Sequence, residues 1–207
     1  ASRMFDVLRI DHFRAFESFW AVPADAETAV DGRWVKAPGM ELVGTLTSWF
    51  SSTQFIAEDL GIITQEVSKL LSDSGLPGMT VLEFAFDPDG GSAYLPHRHV
   101  RNSVCYVGTH DNAPIQSWLS EEAPERLRFA QEYLGTDDLR SALMRAGMAS
   151  VSDLFVAQMQ DWLHRRTRTN TPGPVGGNWC LRLKSGDLTD SLAAEIYEYT
   201  RIYGRLK

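Results

Sequence analysis

The stretch Val7-Leu8-Arg9-Ile10-Asp11-His12-Phe13-Arg14-Ala15-Phe16 (VLRIDHFRAF) decides how the rest of the chain reads. Four residues, three of them apolar, run into an acid flanked by two arginines and a histidine. Strand side chains alternate between faces, so Arg9 and Asp11 emerge on the same one. A half-buried strand normally avoids such a cluster, and the fixed arginine charge favours an ionised carboxylate beside it. The pattern reads as a short strand ending on an acid that is held charged for a purpose.

The same form recurs downstream. Apolar runs that finish on a polar or acidic residue are Phe55-Ile56-Ala57-Glu58-Asp59, residues 80–87, residues 103–111 and residues 154–159. Near-continuous apolar strands suit a parallel sheet covered on both faces. Helical patterns lie between them. Thr64 is placed to cap a helix with Val67, Leu70 and Leu71 on one face and Gly75 at its end. Residues 114–134 and 136–149 read as helical, and Thr189 caps a last helix that aligns Leu192, Ile196, Tyr199 and Tyr203. This alternation makes the chain α/β.

Phosphate-binding glycine fingerprints are missing, because Pro172-Gly173-Pro174-Val175-Gly176-Gly177 does not sit between a strand and a helix. Acids instead recur where strands end, the place where a (β/α)8 barrel keeps its catalytic groups. About five strands are visible and such a barrel needs eight. The expected fold is therefore the C-terminal part of a (β/α)8 TIM barrel: residues 1–207 form one incomplete piece, with the earlier strands absent.

Composition narrows the function. The 207 residues are 43% hydrophobic with a net charge of −7, enough apolar content for a real core and the wrong sign for a polyanion such as nucleic acid. Cys105 and Cys180 both read as buried small hydrophobes in a reduced compartment. No apolar signal core and no run of about 18 apolar residues is present, so the expectation is a cytoplasmic protein without a membrane partner. His97-Arg98-His99 lacks the cysteines or further carboxylates of a metal site, and no metal is expected.

Asp11, Glu58 and Asp111 stand out, each after a predicted strand and too far apart in sequence to meet except through the fold. A cleft with paired carboxylates cuts or transfers a glycosidic bond, because one acid protonates the leaving oxygen while another attacks or stabilises the sugar cation.

The residues Arg9-Ile10-Asp11-His12-Phe13-Arg14, Ile56-Ala57-Glu58-Asp59-Leu60-Gly61, Pro77-Gly78-Met79, Gly108-Thr109-His110-Asp111-Asn112, Gln160-Asp161 and Asn170-Thr171-Pro172-Gly173 strongly resemble the 4-alpha-glucanotransferases (amylomaltases) of glycoside hydrolase family 77. The resemblance runs over essentially the whole chain. It implies Asp11 as nucleophile, Glu58 as general acid/base and Asp111 as transition-state stabiliser, with Arg9, His110 and Asn170 contacting substrate. Partial burial after Phe55-Ile56-Ala57 favours a Glu58 that holds a proton to give. The implied partners are an alpha-1,4-glucan donor and acceptor and the missing N-terminal part of the same enzyme; no cofactor is implied. Self-association through the open barrel edge is an expected outlet, and the chain alone is expected to be inactive. A starch-type retaining hydrolase and a non-catalytic glucan-binding half-barrel stay open as alternatives.

Two departures from the family pattern are Ala15, where glycine is common, and Ala113, where an acid is. For His12 and His97, packing stands beside substrate contact, and for Asn170 a turn before Pro172 does. Trp20, Trp34 and Trp49 fall in an irregular stretch where core packing is expected for most and sugar stacking for the remainder.

Overall fold

Runs of only three or four strand-forming residues set the scaffold. The computed structural model describes residues 1–206, in two units, Ala1–Met79 and Thr80 onward.

In the first unit, strand β1 (Val7–Ile10) leads through a 3-10 turn at Phe13–Phe16 into β2 (Ser18–Ala21) and β3 (Arg33–Lys36). Helix α1 (Gly39–Trp49), strand β4 (Gln54–Ala57) and helix α2 (Gln65–Ser74) follow. β1 and β4 are parallel, in register from Val7 opposite Gln54 to Ile10 opposite Ala57. Thr64 caps α2 by accepting the Val67 N–H at 3.4 Å, and the helix ends at Gly75, as the sequence predicts. Phe13, Val43, Ala57 and Leu70 form the buried core, with Ile10, Phe16, Leu71 and Leu76 around it. Each fully buried large side chain of this kind contributes about 1.5–3 kcal/mol.

Asp59 explains why Pro77-Gly78-Met79 stands where it does. Its Oδ1 accepts the Met79 N–H at 2.7 Å, and a Cβ on Gly78 would lie 2.9 Å from Oδ2 and 3.0 Å from Leu71 Cδ2. Gly78→Ala therefore pushes the carboxylate off the amide it holds. The expected loss is about 1–3 kcal/mol in chemical unfolding, the range for overpacking a tight site.

The second sheet runs in the order β5 (Gly78–Val81), β6 (Ser103–Tyr106), β7 (Leu154–Val156), with β6 and β7 parallel. Helices α3 (Ile115–Glu121), α4 (Pro124–Leu134), α5 (Leu139–Ala149), α6 (Met159–Trp162) and α7 (Asp190–Ile202) belong to the same unit. Its core gathers Leu82, Phe86, Cys105, Val107, Ile115, Trp118, Leu143 and Met144, against which the α7 stripe Leu192, Ile196 and Tyr199 packs. Thr189 caps α7 through the Leu192 N–H at 3.2 Å. Asp161 ties α6 to α3: its Oδ1 accepts the Ile115 N–H at 2.8 Å and its Oδ2 the Gln158 N–H at 3.2 Å.

The chain is α/β with parallel strands, and several expectations need correction. The helix expected over 114–134 is two, because Pro124 has no N–H to continue a helix and starts a new one. The helix expected from 136 begins at Leu139, capped by Asp138 through the Ser141 N–H at 3.2 Å. The strand expected through Asp87 stops at Val81 and turns into a 3-10 segment at Leu82–Phe84. Cys105 is buried as expected, but Cys180 is exposed.

The stretch expected to be irregular holds an antiparallel hairpin of β2 with β3 and the helix α1, and its tryptophans are not core. Trp20 is 41% exposed, Trp34 52% and Trp49 77%. Trp20 and Trp34 meet edge to face at 5.3 Å, and the Arg14 guanidinium lies 4.4 Å from the Trp34 ring centroid. His97 and His99 engage the Tyr133 hydroxyl and the Tyr94 carbonyl, each at 2.9 Å. Among the described residues, no helix is long and apolar enough to cross a membrane.

Candidate active site

The parallel register of β1 and β4 sends Asp11 and Glu58 out of the same strand ends, one residue beyond the Ile10 and Ala57 pair. The ladder continues past the strands: Glu58 N–H donates to the Ile10 carbonyl and Phe13 N–H to the Glu58 carbonyl, both at 2.9 Å. Arg9 and Asp11 share a face as the strand period requires, and Arg9 Nη1 donates to Asp11 Oδ1 at 2.7 Å. Asp11 is exposed and Glu58 half-buried. Glu58 accepts the His12 N–H on Oε2 at 2.6 Å and the Leu60 N–H on Oε1 at 3.2 Å, two main-chain donors that fix the plane of its carboxyl group.

His12 makes the first of those contacts only because its backbone is left-handed, with φ 49°. Few non-glycine residues adopt this conformation, and strain of this kind collects at functional sites.

In the second unit, Asp111 sits on a turn after β6. Asn112 Oδ1 accepts from both the N–H and the hydroxyl of Thr109, at 2.9 and 2.7 Å, and the Asp111 N–H reaches Thr109 Oγ1 at 3.3 Å. Asn170 Nδ2 donates to Asp111 Oδ1 at 2.6 Å, and His110 Nε2 lies 3.4 Å from Oδ2. The Asn170 N–H also bonds the His110 carbonyl at 3.1 Å. His110, Asp111 and Asn170 are thus one cluster, and Arg9, Asp11 and Glu58 another, each within its own unit.

Arg168, Trp179, Asn178 and Glu83 escaped the sequence reading. Arg168 donates to the Asp111 carbonyl at 2.6 Å, yet in sequence it is only one member of a basic run. That run disperses, with Arg165 paired to Asp187 at 2.5 and 2.8 Å and Arg166 donating to Ser120 Oγ at 2.6 Å. Trp179, also left-handed with φ 62°, lies against His110 with ring centroids 5.0 Å apart, anchored by its N–H to the Thr169 carbonyl at 2.8 Å. Asn178 closes the glycine-rich loop ahead of it. Its side chain accepts the Thr171 N–H and donates to the Thr171 carbonyl, both at 3.0 Å, and donates to Pro174 O at 3.3 Å. Glu83 is a carboxylic acid enclosed in the protein at 3% exposure and pushed up to about 9, by burial first and then by the Asp161 charge.

A family model described as 4-alpha-glucanotransferase matches residues 1–189. The chain belongs to the 4-alpha-glucanotransferase family. The 4-alpha-glucanotransferase of Clostridium butyricum is 37% identical to it over 213 residues, spanning 98% of this chain and 43% of the relative. That of Thermus thermophilus is 41% identical over 208 residues, spanning 95% of this chain and 42% of the relative. Among solved structures, the amylomaltase from Streptococcus agalactiae in complex with acarbose superposes with a TM-score of 0.92 at 38% identity, over 99% of this chain and 43% of that one. The chain therefore spans less than half the length of the relatives it matches.

Proposed function

We propose that this chain carries the catalytic carboxylates of a 4-alpha-glucanotransferase, which moves alpha-1,4-glucan segments between maltooligosaccharides with retention. The observation that carries the reading is the pairing of an arginine-bound Asp11 with a main-chain-oriented Glu58 at the same ends of two parallel strands in register. Glu58 protonates the glycosidic oxygen while Asp11 attacks the anomeric carbon, which gives a covalent glycosyl-enzyme. The 4-hydroxyl of a second glucan then loses its proton to the Glu58 carboxylate and displaces Asp11. Two inversions at one carbon leave net retention. A retaining site needs the two carboxyl groups about 5–5.5 Å apart. Asp111, oriented by Asn170, and its neighbour His110 hold ring hydroxyls in contacts that strengthen as the sugar flattens toward the oxocarbenium ion.

The five strands β1, β4, β5, β6 and β7 are the later part of a (β/α)8 barrel in this reading. β7 ends its sheet, and its outer main-chain groups are the edge with which a further barrel strand pairs. An incomplete barrel leaves the cleft without a wall and open to water, which weakens its electrostatics.

The test compares the chain alone with a completed enzyme, the chain fused behind the preceding portion of the Thermus thermophilus relative. Each is incubated with maltotriose while glucose and longer glucans are followed. The expected result is no transfer by the chain alone, and glucose released together with longer glucans by the completed enzyme. Transfer by the chain alone would overturn the incomplete-barrel reading. Glucose and maltose in equal amounts, with no longer product, would replace the transferase by a hydrolase.

A further inference from the structure

Glu83 has no place in the chemistry above, and its surroundings call for one. It follows directly on β5 in the 3-10 segment Leu82–Phe84, which turns its side chain inward. Oε1 has no hydrogen-bond partner among the described residues. Oε2 faces Gly108: a Cβ there would lie 2.7 Å from Oε2, 2.9 Å from the carboxyl carbon and 3.0 Å from Asn112 Cβ. The Glu83 N–H donates to the Val107 carbonyl at 3.1 Å, so main chain and side chain brace the same two residues. Those residues open the Thr109–Asn112 turn, which carries Asp111.

We propose that Glu83 is a positioning residue for Asp111, its enclosed carboxyl group bracing Val107 and Gly108 so that the turn presents the Asp111 carboxylate to the sugar. The proposal rests on the reading of Asp111 as catalytic. Glu83 does this as the neutral acid. The charges that face it are mostly negative: Asp161 of α6, then Glu122 and Glu121 at the end of α3, all of which oppose a second anion. Arg168 favours the anion, but its guanidinium is engaged with the carbonyls of Asp111 at 2.6 Å and Asn170 at 3.3 Å. Arg126 of α4 donates to the Glu83 carbonyl at 3.1 Å and lies 3.5 Å from Glu122, so it serves the backbone and that neighbour. Ionising Glu83 draws Arg168 toward it, which removes the bond that holds the Asp111 carbonyl. A side chain that braces the turn when neutral thus loosens it when charged.

The experiment measures kcat and KM for maltotriose in the completed enzyme from pH 6 to pH 10, for the parent, Glu83→Gln and Glu83→Ala. Relative to Glu83→Gln, the parent is expected to lose kcat as pH rises through about 9, where Glu83 ionises, with KM unchanged; any alkaline fall from the general acid/base step is common to both. Glu83→Gln, the same shape without a titrating group, is expected to keep kcat within about twofold at pH 7. Glu83→Ala, which leaves the turn unbraced, is expected to lower kcat by roughly 10- to 100-fold with KM within about threefold. A ratio of parent to Glu83→Gln kcat that stays constant from pH 7 to pH 10, or a Glu83→Ala kcat within about twofold of the parent, would overturn the proposal. Should Glu83→Ala fail to fold, the Glu83→Gln profile decides. A second readout is independent of transfer: the 13C carbonyl shifts of Gly108 and Asp111 should titrate near pH 9 in the parent and stay flat in Glu83→Gln. An enzyme that transfers nothing defeats the transferase reading and leaves this titration to judge Glu83; flat carbonyls in the parent defeat Glu83 alone.

Discussion

Asp11→Asn is expected to abolish glycosyl transfer in the completed enzyme with every donor, whereas Glu58→Gln is expected to spare the first step with a donor that carries an activated leaving group. The split follows from the roles proposed for the two carboxyl groups. As the proposed nucleophile, Asp11 forms the covalent bond, and an amide cannot replace it, so the expected loss is on the order of 10⁴-fold or more in kcat/KM whatever the leaving group. That corresponds to about 5 kcal/mol or more of transition-state stabilisation. Glu58 delivers a proton, and a leaving group such as fluoride departs without one. With alpha-maltosyl fluoride, Glu58→Gln should therefore release fluoride in a burst and then stall, since no base remains to activate the acceptor hydroxyl. Rapid-quench mass spectrometry should find the maltosyl adduct on Asp11. Equal losses on fluoride and maltotriose donors for both variants would contradict the division of roles.

The second large effect is on stability. Burial of Glu83 raises its carboxyl from 4.5 to about 9 in the folded chain. A group whose folded value is raised contributes stability that is fully present below its unfolded value, 4.5, and is lost as pH rises toward 9. Above pH 4.5 the unfolded chain releases this proton and the folded chain keeps it, so each pH unit favours unfolding by about 1.4 kcal/mol. Glu83→Gln removes that dependence. The variant should gain on the parent by on the order of 4 kcal/mol between pH 5 and pH 8, read from urea unfolding at the two values. Asp161, pushed up to about 6 by burial, has the same sign and loses its contribution as pH rises from 3.8 through 6. It is present in parent and variant alike, so the difference between them isolates Glu83. A gap between the two proteins that does not widen from pH 5 to pH 8 would count against a neutral buried acid.

Where the signal was local, the sequence carried the fold. The runs at β1, β4, β6 and β7 are short, apolar and end on polar groups, and Thr64 and Thr189 announce the helices they cap. The hairpin β2–β3 was hidden because eleven residues, 22–32, separate its strands, and the tight-turn dipeptide among them, Asp31-Gly32, stands at the end of that connection rather than as a two-residue loop between the strands. Helix α1 was hidden because two glycines and three hydroxyl residues dilute its propensity. The site divides in the same way. Arg9 and Asp11 are two residues apart, so strand geometry alone predicts their contact. Asp111 and Asn170 are 59 positions apart and came together only through a family resemblance. Arg168 was illegible because it bonds a main-chain carbonyl, which leaves no mark on the side-chain sequence. Glu83 was illegible because the strand expected through Asp87 would have alternated its side chains, whereas the 3-10 turn sends this one inward.

The Asn178 amide gives the loop after Thr171 an unusual freedom. By engaging both polar groups of Thr171, it closes residues 171–178 the way one rung of an antiparallel ladder would, and the segment it encloses is exposed throughout. Apart from the bond from Asn178 to the Pro174 carbonyl at 3.3 Å, what lies inside the rung is joined to what lies outside it through the rung alone. Lengthening a closed loop is a weak perturbation, about 0.6 kcal/mol for each doubling of length. Residues 172–177 can therefore drift, grow or accept a grafted segment during evolution or engineering while Trp179 keeps its seat against His110. That segment can be rebuilt without re-solving the placement of the groups behind it.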